Sequence, residues 1–228
     1  GCDNLCELKV MYEPSSCKVE FMKNQNIKIK YDSGSGVLFK NEFYSLEEIT
    51  VHTPSLHQID GNRADLEVCL IHSLSNNPYS DGGLIISCLY SSGNYYGKSE
   101  TFFNQFINEI EIDHEKEVNV SKDWGAEMLL PNNKSFYLYK GGLPFPPCSK
   151  NFNYIVMDTI GNIGPVNLEI FQNNLGKNIR PIKLLDGRQV YYNSGKGKES
   201  FGDQRIIKKS DNKYLRCKKN PKAKYDKK

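Results

Sequence analysis

Two short segments that alternate apolar and polar residues constrain this chain more than any other feature. In Ile49-Thr50-Val51-His52 the apolar residues alternate with polar ones, so Thr50 and His52 project from one side of an extended strand. Residues 65–72, Asp-Leu-Glu-Val-Cys-Leu-Ile-His, alternate in the same way and put Glu67 and Cys69 on one side. The Asp60-Gly61-Asn62 turn between them allows the two strands to pair, which turns Thr50, His52 and Cys69 toward a common cleft. A catalytic zinc needs three protein donors and an open position for water. Here a threonine stands where a third good donor is wanted.

The two segments resemble the α-type carbonic anhydrase motif His-x-His-Thr-Pro-Ser-Glu-His followed by Glu-x-His. In that pattern the three zinc histidines fall on Thr50, His52 and Cys69. The glutamate that orients the third ligand falls on Glu67, and the one that orders the hydroxyl network falls on Leu56. Further matches follow in the same order. Asp81-Gly-Gly-Leu-Ile-Ile-Ser-Cys88 is similar to the family's buried Gly-Gly-Leu strand. Leu129-Leu-Pro131 and Tyr139-Lys-Gly-Gly-Leu-Pro-Phe-Pro-Pro-Cys148 resemble Leu-Leu-Pro and Tyr-x-Gly-Ser-Leu-Thr-Thr-Pro-Pro-Cys. Asn178-Ile-Arg-Pro181 and Gly187-Arg-x-Val190 resemble the closing Asn-x-Arg-Pro and Gly-Arg-x-Val. The resemblance runs from about residue 8 to 190 and implies an α+β, mostly β fold. Its core is a central, largely antiparallel twisted sheet with a few short peripheral helices.

The departures bear on function. The threonine that, in the family, accepts a hydrogen bond from zinc-bound hydroxide falls on Pro144, which has no side-chain hydroxyl and no backbone donor. The next threonine falls on Phe145, a bulky ring at the substrate pocket, and Tyr154 stands where tryptophan is usual. Zinc catalysis depends on lowering the pKa of bound water to about 7 and on outer groups that orient it. With these positions changed together, the expectation is no catalytic residue, no cofactor and no metal, His52 and Cys69 being the residual metal candidates. A buried strand cysteine is ordinarily a small hydrophobe. His57 and His72 read as packed histidines, and His114 as a loop residue in a charged stretch.

The remaining strands are expected over 17–30, 37–52, 65–73, 84–90, 135–140, 153–158 and 188–192. Helices are expected over 101–110, where Phe102, Phe103, Phe106 and Ile107 take helical spacing, and over 165–174. A chain of 228 residues with 38% hydrophobic content forms one core. Residues 1–193 read as the domain, and 194–228 as a basic, Lys-rich tail that wraps the surface or frays. No apolar run reaches the ~20 residues of a membrane span, and no signal peptide is visible at residue 1, a start that reads as trimmed.

Seven cysteines point to an oxidising compartment. The resemblance puts Cys148 at the position that pairs with an N-terminal cysteine in secreted members, leaving Cys2, Cys6 and Cys17 as alternative partners. Cys217 is a further disulfide candidate, whereas Cys69 and Cys88 read as free thiols. Asn119 and Asn133 open N-glycosylation sequons. The expectation is therefore a secreted, cell-surface or secretory-lumen module that recognises protein partners, in adhesion or as a subunit of a multi-subunit complex. Two alternatives stand beside it. One is a zinc-dependent hydratase or esterase with a rearranged His/Cys site, and the other a binder of sulfated glycan or another anionic surface through the basic tail. No nucleic-acid motif accompanies the charge.

Overall fold

The computed structural model describes residues 8–22, 26–31, 34–74, 82–94, 97–110, 117–119, 124–146, 148–194 and 205–206. Its strands are β1 (Leu8–Met11), β2 (Cys17–Met22), β3 (Asn26–Tyr31), β4 (Gly36–Phe39), β5 (Glu42–His52), β6 (Gln58–Ile59), β7 (Asn62–Arg63) and β8 (Leu66–Leu74). They continue as β9 (Gly83–Ser92), β10 (Glu117–Asn119), β11 (Phe136–Gly142), β12 (Lys150–Met157), β13 (Gly161–Ile163), β14 (Val190–Asn193) and β15 (Arg205–Ile206). The helices are α1 (Lys98–Asn104) and α2 (Pro165–Leu175).

One large sheet runs β10-β2-β3-β5-β8-β9-β12-β11-β14-β15. It is antiparallel except where β9 meets β12 and β13. The fold is mostly β with two short helices, as expected from the sequence.

Strand alternation explains the two faces. Ile49 and Val51 of β5, with Val68 and Leu70 of β8, point into the larger core. There they meet Phe102, Phe103, Phe106, Trp124 and Phe171. Phe102 stacks on Trp124 at 4.0 Å between ring centroids, and Phe171 meets Phe103 edge-on at 5.3 Å. The intervening residues point the other way, so Cys69 and Ile71 join a second cluster with Ile85, Tyr139, Tyr154 and Val190. Each fully buried aromatic or aliphatic side chain contributes about 1.5–3 kcal/mol.

α2 starts with Pro165, whose missing N–H costs nothing in the first turn, and buries Leu168, Phe171 and Leu175 along one stripe. Gly176 ends it at a φ of 56° that a side chain would resist. The expected helix over 101–110 is shorter and earlier. α1 ends at Asn104 because Phe106 takes a φ of −139°, which sends its ring toward Trp124 and leaves one 3-10 turn at Ile107–Glu109. The Asp60-Gly61 turn, with φ of 52° and 84°, closes the small β6–β7 ribbon instead of joining β5 directly to β8. At the far edge β15 pairs with β14; the rest of the tail beyond residue 194 lies outside the described residues.

Candidate functional site

The register of β5 and β8 places Thr50 opposite Cys69 and His52 opposite Glu67. The expected juxtaposition of Thr50, His52 and Cys69 is therefore present, on the face that carries the second cluster. It is not an open cleft. Thr50 is 4% exposed, His52 3% and Cys69 0%.

Hydrogen bonds define the state of each group. His52 Nδ1 lies 3.2 Å from the carbonyl of Asn178, which only accepts, so Nδ1 carries the proton. Burial lowers the imidazole pKa and keeps it neutral, leaving Nε2 to accept from the Thr50 hydroxyl at 3.1 Å. Cys69 Sγ donates to Glu67 Oε1 at 3.5 Å and lies 3.6 Å from Ser87 Oγ. Burial first, and the Glu67 carboxylate second, push the thiol pKa well up, so it stays protonated.

Glu67 is held from the other side by His57, through its backbone N at 2.8 Å and its Nδ1 at 2.7 Å. Burial alone would raise the carboxyl. The charge and hydrogen bonds of His57 outweigh it and bring the pKa down to about 2. His57 Nε2 meets Tyr139 OH at 2.7 Å, and Tyr139 stacks on Tyr154 at 5.0 Å. Glu67 thus anchors His57 more closely than it orients position 69.

Leu56 is half-buried against the second cluster, and Pro144 is buried. Phe145 packs half-buried against the same cluster, with Lys28 Nζ 4.9 Å from its ring centroid. His72 is packed on the opposite face, bonded to Tyr12 OH at 2.8 Å and to the Leu84 carbonyl at 3.1 Å.

Cys17 and Cys148 stand as free thiols, and the other disulfide candidates lie outside the described residues. Cys17 is buried in β2 and donates to the Ser15 carbonyl at 3.8 Å; Cys148 is half-buried at a φ of 61°. Cys69 and Cys88 are free and buried, as read from their strand patterns. Cys2, Cys6, Cys217 and His114 lie outside the described residues, as does the side chain of Asn119. Asn133 is exposed in a turn, its Oδ1 accepting from the N of Ser135 at 3.2 Å.

Asn178 was not singled out as a site residue. Its side chain accepts from Thr53 N at 2.8 Å and donates to the Val51 carbonyl at 2.9 Å, in addition to its carbonyl's bond with His52. Only its place in Asn-x-Arg-Pro hinted at this.

Residues 2–194 match the family model for eukaryotic-type carbonic anhydrase. The chain belongs to that family. It is 28% identical over 185 residues to a carbonic anhydrase of Neisseria gonorrhoeae, covering 80% of this chain and 69% of that protein. It is 25% identical over 207 residues to dioscorin DB3L of Dioscorea polystachya, covering 83% of this chain and 73% of that protein. Among solved structures, a carbonic anhydrase of Chlamydomonas reinhardtii shares the fold at a TM-score of 0.75 and 21% identity, over 83% of each chain.

Carbonic anhydrases imply zinc, so the donors must be tested against it. The three positions supply one imidazole, one thiol and one hydroxyl, and alcohols are not among zinc's usual protein donors. Among the described residues, no group of three or more His, Cys, Asp or Glu side chains is arranged to hold a metal ion. This donor set does not fit a three-ligand zinc centre.

Proposed function

We propose that this domain keeps the carbonic anhydrase fold without carbon dioxide hydration and acts as a protein-recognition module, secreted or facing the secretory lumen. One observation carries the reading. The His52 nitrogen that would meet a metal accepts a hydrogen bond from Thr50, and the Cys69 thiol is turned to Glu67. Pro144 and Leu56, which cannot hydrogen-bond a zinc-bound hydroxide through their side chains, support it. The half-buried ring of Phe145 over the same cluster adds bulk where a substrate would enter. The compartment is inferred from the sequons at Asn119 and Asn133 and from the cysteines outside the described residues, Cys2, Cys6 and Cys217, the four described ones being free thiols. With the chemistry gone, what selection retains is a rigid scaffold and its outer surface.

The test is elemental analysis of purified protein together with a carbon dioxide hydration assay, with and without added zinc. The reading expects less than stoichiometric zinc and no rate above buffer. Native affinity capture with mass spectrometry then asks for a protein partner.

A second reading, a zinc-dependent hydratase or esterase on a rearranged site, is favoured by the relatives named carbonic anhydrase. It uses His52, Cys69 and a further donor. Activity that needs zinc and disappears in His52→Ala would establish it and remove the first.

A further inference from the structure

Next to Thr50, His52 and Cys69 lies a pocket of about 110 Å³ that shares Leu56, Pro144 and Tyr154 with the family's site positions. Thr50, His52 and Cys69 do not line it. Its walls include Leu56, Tyr139, Tyr154, Arg180, Lys183 and Arg188. None of the lining residues is acidic, whereas Arg180, Lys183 and Arg188 are basic.

The two arginines differ in what they are doing. Arg188 uses Nε, Nη1 and Nη2 on the carbonyls of Leu185, Lys140 and Leu184, at 3.0, 3.1 and 2.7 Å. Its guanidinium also lies 5.7 Å from the Tyr139 ring centroid. It is a strut between the C-terminal loop and β11. Arg180 is half-buried and donates from Nη1 to the Leu143 carbonyl at 3.2 Å. No ion pair of Arg180, Lys183 or Arg188 with a carboxylate occurs among the described residues. Holding a cation partly out of water without a counter-charge is unfavourable, and the guanidinium fork matches a carboxylate with two parallel hydrogen bonds.

The remaining walls describe the rest of the ligand. Tyr139 and Tyr154 present stacked rings, and Leu56, Leu143, Pro144 and Ile182 supply apolar surface. The volume falls below the roughly 300–1,000 Å³ of a drug-sized site, which limits the occupant to a single ring or less.

We propose that this pocket binds a small organic carboxylate, its oxygens on Arg180 and Lys183 and its body against Tyr139, Tyr154 and Leu56. The pocket shares Leu56 and Pro144 with the proposed loss of hydration, but benzoate binding and carbon dioxide hydration are read by separate assays, so either reading can fail alone. Benzoate is a suitable probe, with benzamide as its uncharged counterpart. Calorimetric titration of the full chain should give saturable one-to-one binding of benzoate and none of benzamide. Lys183→Gln alters an exposed side chain and should weaken binding several-fold. Arg180→Gln should weaken it by about tenfold or more, the usual loss for a charge-assisted hydrogen bond. Leu56→Glu places a carboxylate on the wall and should abolish binding by occupying the cations from within. Lys183→Gln and Leu56→Glu decide the matter should Arg180→Gln fail to fold. The proposal is overturned by benzoate that does not saturate, by benzamide binding equally well, or by folded variants that bind as the native chain does.

Discussion

Glu67 and His57 are joined twice, with one carboxylate oxygen on the backbone N of His57 at 2.8 Å and the other on its ring Nδ1 at 2.7 Å. Glu67 is wholly buried, so these bonds and the Cys69 thiol contact stand in for its hydration. Glu67→Ala would leave His57 and Cys69 facing a void. Chemical unfolding should show a loss of about 3 kcal/mol or more. A loss below about 1 kcal/mol would mean that water replaces the carboxylate there.

Acid should weaken the fold in two stages. The pKa of His72 is lowered from 6.5 to about 4, by burial above all, although its bonds to Leu84 and Leu70 oppose the shift. Between those values the unfolded chain binds a proton that the folded chain refuses, so stability falls as pH drops from 6.5 toward 4. The slope is roughly 1.4 kcal/mol per pH unit for one proton. His52, also lowered by burial, acts in the same direction. Below that, Glu67, depressed from 4.5 to about 2, keeps its contribution above the upper value and loses it as pH falls through the lower. Urea midpoints measured across pH 2 to 7 should show this decline, and His72→Gln should flatten its upper stage. A native profile flat from 6.5 to 4 contradicts it.

Restoring donors should restore metal. Thr50 and Cys69 face one another across β5 and β8, on the side that carries His52. The double substitution Thr50→His with Cys69→His therefore supplies three imidazoles at one place. Elemental analysis should find about one zinc per chain in this variant and much less in the native protein. Equal zinc in both would show that the native donors already suffice.

The thiols should separate by reactivity. Cys69 and Cys88 are buried and their pKa values are pushed up, whereas Cys148 is half-buried. Brief iodoacetamide treatment of the folded protein, followed by peptide mapping, should mark Cys148 and leave Cys69 and Cys88 unmarked until denaturant is added. A cystine recovered at Cys148 would contradict the structure.

Much of this was legible from residue order because a strand reports its two faces directly. Ile49 and Val51 against Thr50 and His52 predicted both the core and the site, and the β5–β8 register agrees. The α2 stripe was equally plain, with Leu168 and Phe171 a turn apart, whereas the stop at Gly176 came from the structure. What stayed hidden depends on distant partners. Nothing local says that Asn178 meets His52, 126 positions away. Nor does a loop holding Arg180, Lys183 and Arg188 show periodicity that would place all three around one cavity. α1 ended early because Phe106 gains more by turning toward Trp124 than by extending the helix, a choice made by tertiary packing.

The clasp formed by Asn178 sets where this architecture can be divided. Its backbone N and carbonyl reach Thr53 and His52, while its side chain spans Val51 and Thr53. A shortened version ending at α2 would strip those partners from the final turn of a central strand and admit solvent to the imidazole beneath. Anyone transplanting the domain into a fusion should carry the polypeptide well past this asparagine, since the last stretch is a keystone and not trim.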